Sequence, residues 1–235
     1  MDYSQNLSIK NNFTCIASGS TGNCYLVNLG GGVIILDLGV SIYEITKNVN
    51  LNDVIFAYVS HEHKDHSKSM EEIKKREIKV FYGGDNEKIL KQSYKGYKLY
   101  QVPIQHGECI NNALIIQYEN ECVLYATDFN ICKYNLNQFK FTQVIVECNF
   151  IESQLPNENR LDFKTKRQIN THMGLDGLKR FLNTLDLSEC KEIDLIHMSQ
   201  GYGNSIVMGC VISQKYKIRT GVCEQWGGVK YYGRG

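Results

Sequence analysis

Three histidines and an aspartate, all able to bind a metal ion, fall within six residues of this 235-residue chain: His61, His63, Asp65 and His66, in the run His61-Glu62-His63-Lys64-Asp65-His66. In a strand, positions 61, 63 and 65 would share one face while 66 pointed away. In a helix the same three would spread around the cylinder. The spacing makes best sense in a loop, where the two halves of the run address two points in space. Two adjacent cations would satisfy that arrangement. Imidazole and carboxylate together suit zinc, and also manganese or iron.

The chain has six histidines in all. The other three, His106, His172 and His197, each sit at or just after an apolar run or before a helical pattern. Asp37 closes the run 33–36 and Asp128 closes the run 122–127. Histidines and carboxylates at strand ends, spread along the whole chain, are what a site assembled on one rim of a sheet requires.

The elements that must position them read as alternating strands and helices. Residues 24–29 and 33–37 form a hairpin around Gly30-Gly31-Gly32. A compact apolar strand at 54–59 ends where His61 begins. The pattern then predicts a helix over 67–79, with Ser69 and Glu72 as a capping box and Met70, Ile73 and Ile78 on its apolar stripe. A second short helix is expected after Asp85. Strands follow at 97–102, 113–118, 122–127 and 144–147. A helix over 175–185 carries Leu175, Leu178, Leu182 and Leu185 at helical spacing. A strand at 193–196 leads into His197, and a helix and a final strand near 217–222 close the chain. Layered α/β sheets with functional loops at strand ends are the expected architecture.

Composition narrows the classes. Hydrophobic residues make up 43% and charged residues 22%, enough apolar material for a sizeable core, and no linker-like stretch divides the chain, so one domain over 1–235 is expected. Residues 1–6 lack the basic start and apolar run of a secretory signal. No segment approaches the roughly 20 apolar residues of a membrane span, so no membrane partner is expected. Nine scattered cysteines without a Cys-x-x-Cys pair point to reduced thiols and a cytoplasmic setting. The net charge of +1 gives no global pull on nucleic acid. Locally, Arg160, Lys164, Lys166 and Arg167 face only Asp162, and Lys215, Lys217, Arg219, Lys230 and Arg234 face only Glu224. Both segments could steer an anionic substrate.

The run His61 to His66 resembles the His-x-His-x-Asp-His signature of the metallo-β-lactamase superfamily, and the resemblance extends in chain order over nearly the whole sequence. It implies a four-layer αββα sandwich. Asp37 matches the first motif, an aspartate that supports the ligand loop; His106, Asp128 and His197 match the third, fourth and fifth. The resemblance implies one metal on His61, His63 and His106 and another on Asp65, His66 and His197, with Asp128 bridging. The cofactors implied are two divalent ions, zinc first and manganese as the alternative, with a hydroxide between them as nucleophile.

Within the superfamily the chain looks most similar to YycJ-type exonucleases, with tRNase Z as a related branch. Ser18-Gly19-Ser20-Thr21-Gly22-Asn23 resembles the YycJ-type opening, Thr171-His172-Met173-Gly174-Leu175 its Gly-His-Leu-Ser helix start, and Leu195-Ile196-His197-Met198-Ser199 its second His-Leu-Ser. The resemblance implies that His172 and Glu147 handle the leaving-group proton beside Asp65, and that Ser18, Ser20, Asn23 and Asn204 contact substrate. Two stretches depart from the pattern: Gly174-Leu175-Asp176 and Gln200-Gly201-Tyr202-Gly203. These leave the metal positions intact and put the substrate in question.

The leading expectation is therefore a metal-dependent phosphodiesterase, a nuclease acting on DNA or RNA, with a nucleic acid or nucleotide as partner. A cyclic-nucleotide phosphodiesterase keeps the same chemistry on a smaller substrate. A thioester or lactone hydrolase keeps the fold and changes the chemistry. His66 argues against true β-lactamases, which usually lack that histidine, and His63 against oxygen-reducing diiron relatives, which carry glutamate there. A binding protein with a relic site is disfavoured because every ligand position is filled. Members of the superfamily are often dimeric, so a homodimer is the assembly the resemblance implies.

Overall fold

The computed structural model describes residues 12–84 and 88–233. Among them, β1 (Phe13–Ala17), β2 (Cys24–Asn28), β3 (Val33–Leu36), β4 (Val54–Val59) and β5 (Val80–Tyr82) form a five-stranded sheet in sequence order. An eight-stranded sheet contains β6 (Leu90–Tyr94), β7 (Tyr97–His106), β8 (Cys109–Tyr118), β9 (Glu121–Ala126), β10 (Gln143–Glu147), β11 (Glu192–Ile196), β12 (Arg219–Cys223) and β13 (Val229–Tyr232). Its order runs from β13 at one edge to β6 at the other.

Three apolar layers separate four layers of structure. Between the sheets lie Tyr25, Phe56, Tyr58, Leu114, Ile116, Tyr125 and Ile145, drawn from both. The outer face of the first sheet packs Leu26, Ile35 and Ala57 on Ile45 of α1 (Ile42–Asn48) and Ile73 of α3 (Met70–Lys74). The outer face of the second packs Leu124, Val146 and Leu195 on α5 (Leu175–Leu182) and α6 (Ser205–Tyr216). The result is the αββα sandwich. β10, parallel to both its neighbours, is buried along its full length, so it reads as an unbroken apolar run that ends at Glu147.

Strand direction decides where the site falls. β3, β4 and β5 run parallel to one another, as do β9, β10, β11 and β12. Asp37, His61, Asp128, Glu147 and His197 all lie at or just past the carboxyl ends of these strands, the rim where open parallel sheets place their ligands.

Two expected helices differ. The stretch 67–79 is not one helix: α2 (Lys64–Ser67) is followed by a break and then α3. Ser69 makes no capping bond; its hydroxyl donates to the Val40 carbonyl and its N–H to the Leu38 carbonyl, tying the break to the loop after β3. Asp85 lies outside the described residues, and from Leu90 the chain is strand, not helix. There β6 and β7 form a hairpin whose two turn residues, Lys95 and Gly96, both have positive φ (47° and 87°), the geometry of a tight type I′ turn. That turn, α1, β1 and β13 carry no period long enough to announce them. The hairpin at Gly30-Gly31-Gly32 forms with Asn28 opposite Val33. No helix among the described residues is long and apolar enough to cross a membrane.

Phe56 is fully buried between the sheets and meets Phe81, Tyr94 and Tyr97 edge-on. Phe56→Ala is expected to destabilise the chain by about 3–5 kcal/mol through the cavity it leaves, with Phe56→Leu costing less. A shift of the urea midpoint of less than half that size would mean this layer is not tightly packed.

Candidate metal centre

The end of β4 and the loop after it are held from three directions. Asn23 N–H donates to the Asp65 carbonyl (2.7 Å), Leu38 N–H to the His66 carbonyl (2.7 Å), and Asp37 N–H to the Tyr58 carbonyl (2.8 Å). At Gly39 a Cβ would stand 1.7 Å from the Asp65 carbonyl oxygen, so only glycine lets the two backbones approach this closely. Asp37, Asp128 and His197 each adopt positive φ (57°, 48° and 55°), a conformation non-glycine residues seldom take and one that gathers at functional sites. The β7–β8 hairpin delivers His106, and the turn between α4 (Phe163–Thr171) and α5 delivers His172.

These elements bring the ligand candidates together as three overlapping groups: His61, His63, His106 and Asp128; Asp65, His66 and His197; and Asp128, Glu147, His172 and His197, within each of which the ligand atoms lie within 4.8 Å. Asp128 divides its oxygens between the first two. Oδ2 lies 4.0 Å from His61 Nε2 and 3.7 Å from His106 Nε2, while Oδ1 lies 3.4 Å from His66 Nε2 and 3.5 Å from His197 Nε2. His61 Nε2 and His63 Nδ1 are 2.9 Å apart, and His66 Nε2 and Asp65 Oδ2 3.5 Å. Each spacing is under roughly 4.2 Å, twice a zinc–ligand bond of about 2.1 Å, so both partners of each pair can reach one ion.

The outer hydrogen bonds point the rings. Nδ1 of His61 meets Ser60 Oγ (3.0 Å), that of His66 meets Asp37 Oδ2 (2.5 Å), that of His106 the Thr171 carbonyl (3.0 Å), and that of His197 Glu147 Oε1 (3.0 Å). A proton on Nδ1 satisfies each acceptor and leaves the Nε2 lone pair directed at the centre. His63 is reversed: Nδ1 faces the centre, and Nε2 lies 3.4 Å from Cys109 Sγ. His197 Nε2 is buried without a hydrogen-bond partner, and an orphaned lone pair there is what a cation would satisfy.

Asp37 is fully buried and accepts from Ser60 N–H (2.7 Å), Ser60 Oγ–H (3.0 Å) and Tyr125 O–H (2.5 Å) as well as from His66. Ionisation follows these contacts. Burial, then the nearby His66 charge, pushes His61 down to about 2, and burial lowers His106, so both rings are neutral donors. Burial opposes the ionised Asp128, but His197 and His66 outweigh it and hold its carboxyl well below the usual range. At His66 the same contest, burial against Asp128 and Asp37, draws positive charge to the ring. The neutral His61 and His106 rings beside the ionised Asp128 suit a divalent cation, which would take the place of the positive charge that His66 otherwise carries.

Beside this centre, Glu147 is fully buried with both oxygens used: Oε1 by His172 Nδ1 (2.6 Å) and His197, Oε2 by the N–H groups of Phe129 (3.0 Å) and Met173 (3.2 Å). His172 stacks on His197 with ring centres 5.1 Å apart. Its burial disfavours the imidazolium, yet the Glu147 charge and hydrogen bond prevail and raise it to about 9. A cleft of about 430 Å³ opens here, lined by His63, Asp65, His106, Asp128, His172 and His197 together with Ser20, Lys164 and Arg167.

Three expected substrate contacts are placed otherwise. Asn23 is fully buried, its amide spent on Gly19, Tyr25, the Asp65 carbonyl and His66 Nε2. Ser18 borders the cleft, but its buried hydroxyl accepts from His197 N–H (2.8 Å) and pairs with Tyr25 (2.8 Å). Asn204 caps α6 by accepting from Val207 N–H. Of the two basic segments, only 160–167 brings described cations to the cleft. In the other, Arg219 pairs with Glu192 (2.6 Å) and Lys230 with Glu224, no described cation lines the cleft, and Arg234 lies outside the described residues. Tyr125, Ser60, Cys109 and Asn149 support the centre without any sequence motif to mark them; Asn149 Nδ2 donates to the His197 carbonyl (2.7 Å).

No family model matches the sequence, and no curated protein matches it. Solved structures do match. The metallo-β-lactamase fold protein YhfI from Bacillus subtilis superposes with a TM-score of 0.66 over 94% of this chain and 98% of that one, at 14% identity. The chain has the metallo-β-lactamase fold. The short form of human tRNase Z shares that fold at a TM-score of 0.54 and 10% identity, over 80% of this chain and 93% of its own. So does CmlA, a diiron β-hydroxylase from Streptomyces venezuelae, at 0.61 and 11%, over 94% of this chain and 54% of its own. One metallo-β-lactamase fold thus serves different chemistries, and the site must decide between them.

Asp37→Asn keeps the shape of the side chain and removes the charge that orients His66. It is expected to weaken divalent-ion binding by about 10–100-fold, with the far-ultraviolet dichroism unchanged. Metal titration followed by calorimetry reads this directly, and unaltered affinity would show that Asp37 does not orient a ligand.

Proposed function

We propose that this chain is a metal-dependent phosphodiesterase acting on nucleic acid. The observation that carries the reading is the Glu147–His172 pair, set against His197 and opening on the same cleft as Lys164 and Arg167. A phosphodiester needs groups to bind its anionic oxygens and a proton for the departing alkoxide. Carbonyl-centred hydrolysis of a thioester or lactone gives two cations at the cleft wall no obvious task, which favours the phosphate reading.

Two divalent ions, zinc or manganese, held by His61, His63 and His106 on one side and Asp65, His66 and His197 on the other, with Asp128 between, would lower the pKa of a bound water and offset phosphate charge. The protein supplies the rest. Lys164 and Arg167 attract the phosphodiester and Ser20 lines its path. Glu147, fixed by two backbone N–H groups, holds the proton on His172 Nδ1 and turns Nε2 toward the cleft. His172 then delivers a proton to the leaving oxygen.

Metal chelation and His63→Ala are each expected to abolish cleavage of DNA or RNA; undiminished turnover after both would sink the reading. Supplying linear DNA, RNA and cyclic nucleotides in one assay separates a nuclease from a cyclic-nucleotide phosphodiesterase, a small substrate that a cleft of this volume also accommodates.

His172→Ala is expected to lower kcat on a nucleotide ester by roughly 10²–10⁴-fold. With a p-nitrophenyl phosphodiester the loss should be much smaller, because that leaving group departs without a proton. Equal losses on both substrates would assign His172 a structural role.

A further inference from the structure

Trp226 is the only tryptophan in the chain, and it is 77% exposed. It sits in the turn between β12 and β13, next to Gln225, which lines the cleft. An exposed indole on a loose loop would mean little. This turn is pinned. Ser18 N–H donates to the Gln225 carbonyl (3.2 Å), the Gln225 amide donates to Thr21 Oγ1 (3.1 Å), and Gly228 N–H donates to the Cys15 carbonyl (3.2 Å). Gly227 N–H closes the turn on the Glu224 carbonyl (3.2 Å), and Gly227 and Gly228 both take positive φ (93° and 92°). The backbone that carries the indole is thereby fastened to the Ser18–Thr21 segment of the cleft wall, while the ring has no aromatic or cationic partner among the described residues.

A second exposed aromatic stands beside the cleft cations. Phe163, 84% exposed, precedes Lys164 at the start of α4 and lies one helical turn from Arg167. Lys164 and Arg167 line the cleft. Exposed rings interleaved with cations are how proteins bind single strands: cations follow the phosphates and rings stack on the bases. Duplex bases are already stacked and offer no free face. Because the turn's backbone is already fixed, binding at the indole has only its two side-chain torsions to order.

We propose that Trp226 is a stacking platform for an unpaired base of a single-stranded nucleic acid whose phosphates run along Lys164 and Arg167 toward the metal centre. This rests on the nucleic-acid reading of the cleft and narrows it to single strands and frayed ends. Trp226 is a binding and specificity residue, remote from the reacting atoms.

Because Trp226 is the sole tryptophan, its fluorescence reports on this position alone. The probes are a short single-stranded phosphorothioate oligonucleotide, which resists cleavage, and an abasic oligonucleotide of equal length, both added to the metal-loaded full chain. The base-bearing strand is expected to quench the fluorescence and the abasic strand is not. Trp226→Ala should raise Kd for the base-bearing strand by roughly 5- to 150-fold and leave the abasic strand within about twofold, with Trp226→Phe recovering part of the loss. Equal Kd values for the native chain and Trp226→Ala on the base-bearing strand would overturn the proposal. If unmodified single strands are still cleaved in that case, the nuclease reading survives alone. If the native chain neither binds nor cleaves any oligonucleotide, both readings fall together.

Discussion

A carboxylate taken out of water needs positive charge close by, and at the join between two sheets Asp128 has the Nε2 atoms of four imidazoles within 4.0 Å, an arrangement that a cation set between them would satisfy. Each of those imidazoles would in turn be a costly buried polar group if its far nitrogen were unpaired. The structure therefore builds outward in shells: Asp128, then His61, His66, His106 and His197, then Ser60, Asp37, the Thr171 carbonyl and Glu147. Most of these residues sit at strand ends: Asp37 after β3, Ser60, His61 and His66 after β4, His106 on β7, Asp128 after β9, Glu147 on β10 and His197 after β11. The parallel directions of the inner strands follow from this demand, because only carboxyl ends gathered on one rim bring all these groups within reach.

The parts of this arrangement legible in the sequence were those with dense chemical or periodic signal. His61 to His66 identifies itself by ligand type and spacing. The inner strands announce themselves because burial on both faces requires unbroken apolar runs, and each run ends on a residue of the centre. What stayed hidden depends on contacts between distant segments. Nothing local distinguishes Tyr125 from any other strand tyrosine, yet its hydroxyl holds Asp37. Asn23 and Ser18 read as a phosphate-binding turn because Ser, Gly and Asn favour both jobs; in the structure both are buried, Asn23 holding the ligand loop and Ser18 the His197 backbone. The helix expected over 67–79 had the right period, but Ser69 is bound to the loop after β3 and breaks it.

Charge followed the same division. Two segments are basic along the chain. One places Lys164 and Arg167 at the cleft, whereas in the other Arg219 pairs with Glu192 and Lys230 with Glu224. Composition reports how much charge a segment carries, and only the fold says whether a partner has already taken it. Solved structures of the same fold, sharing 14% of the sequence or less, include both a tRNase and a diiron hydroxylase. The fold supplies the rim, and the groups placed around it select the reaction.

The hydrogen bond from His197 N–H to Ser18 Oγ joins residues 179 positions apart. Most of the polypeptide must therefore be synthesised before the second group of ligands can exist in its final arrangement. A ribosome-bound chain that has emerged only as far as α4 holds His61, His63, His106 and Asp128 but has no His197 to offer. Any metal that needs both groups of ligands would consequently load late in the life of the molecule, coupled to closure of the fold. Ions that bind only the closed form would then hold it closed by mass action, in the manner of a clasp fastened last.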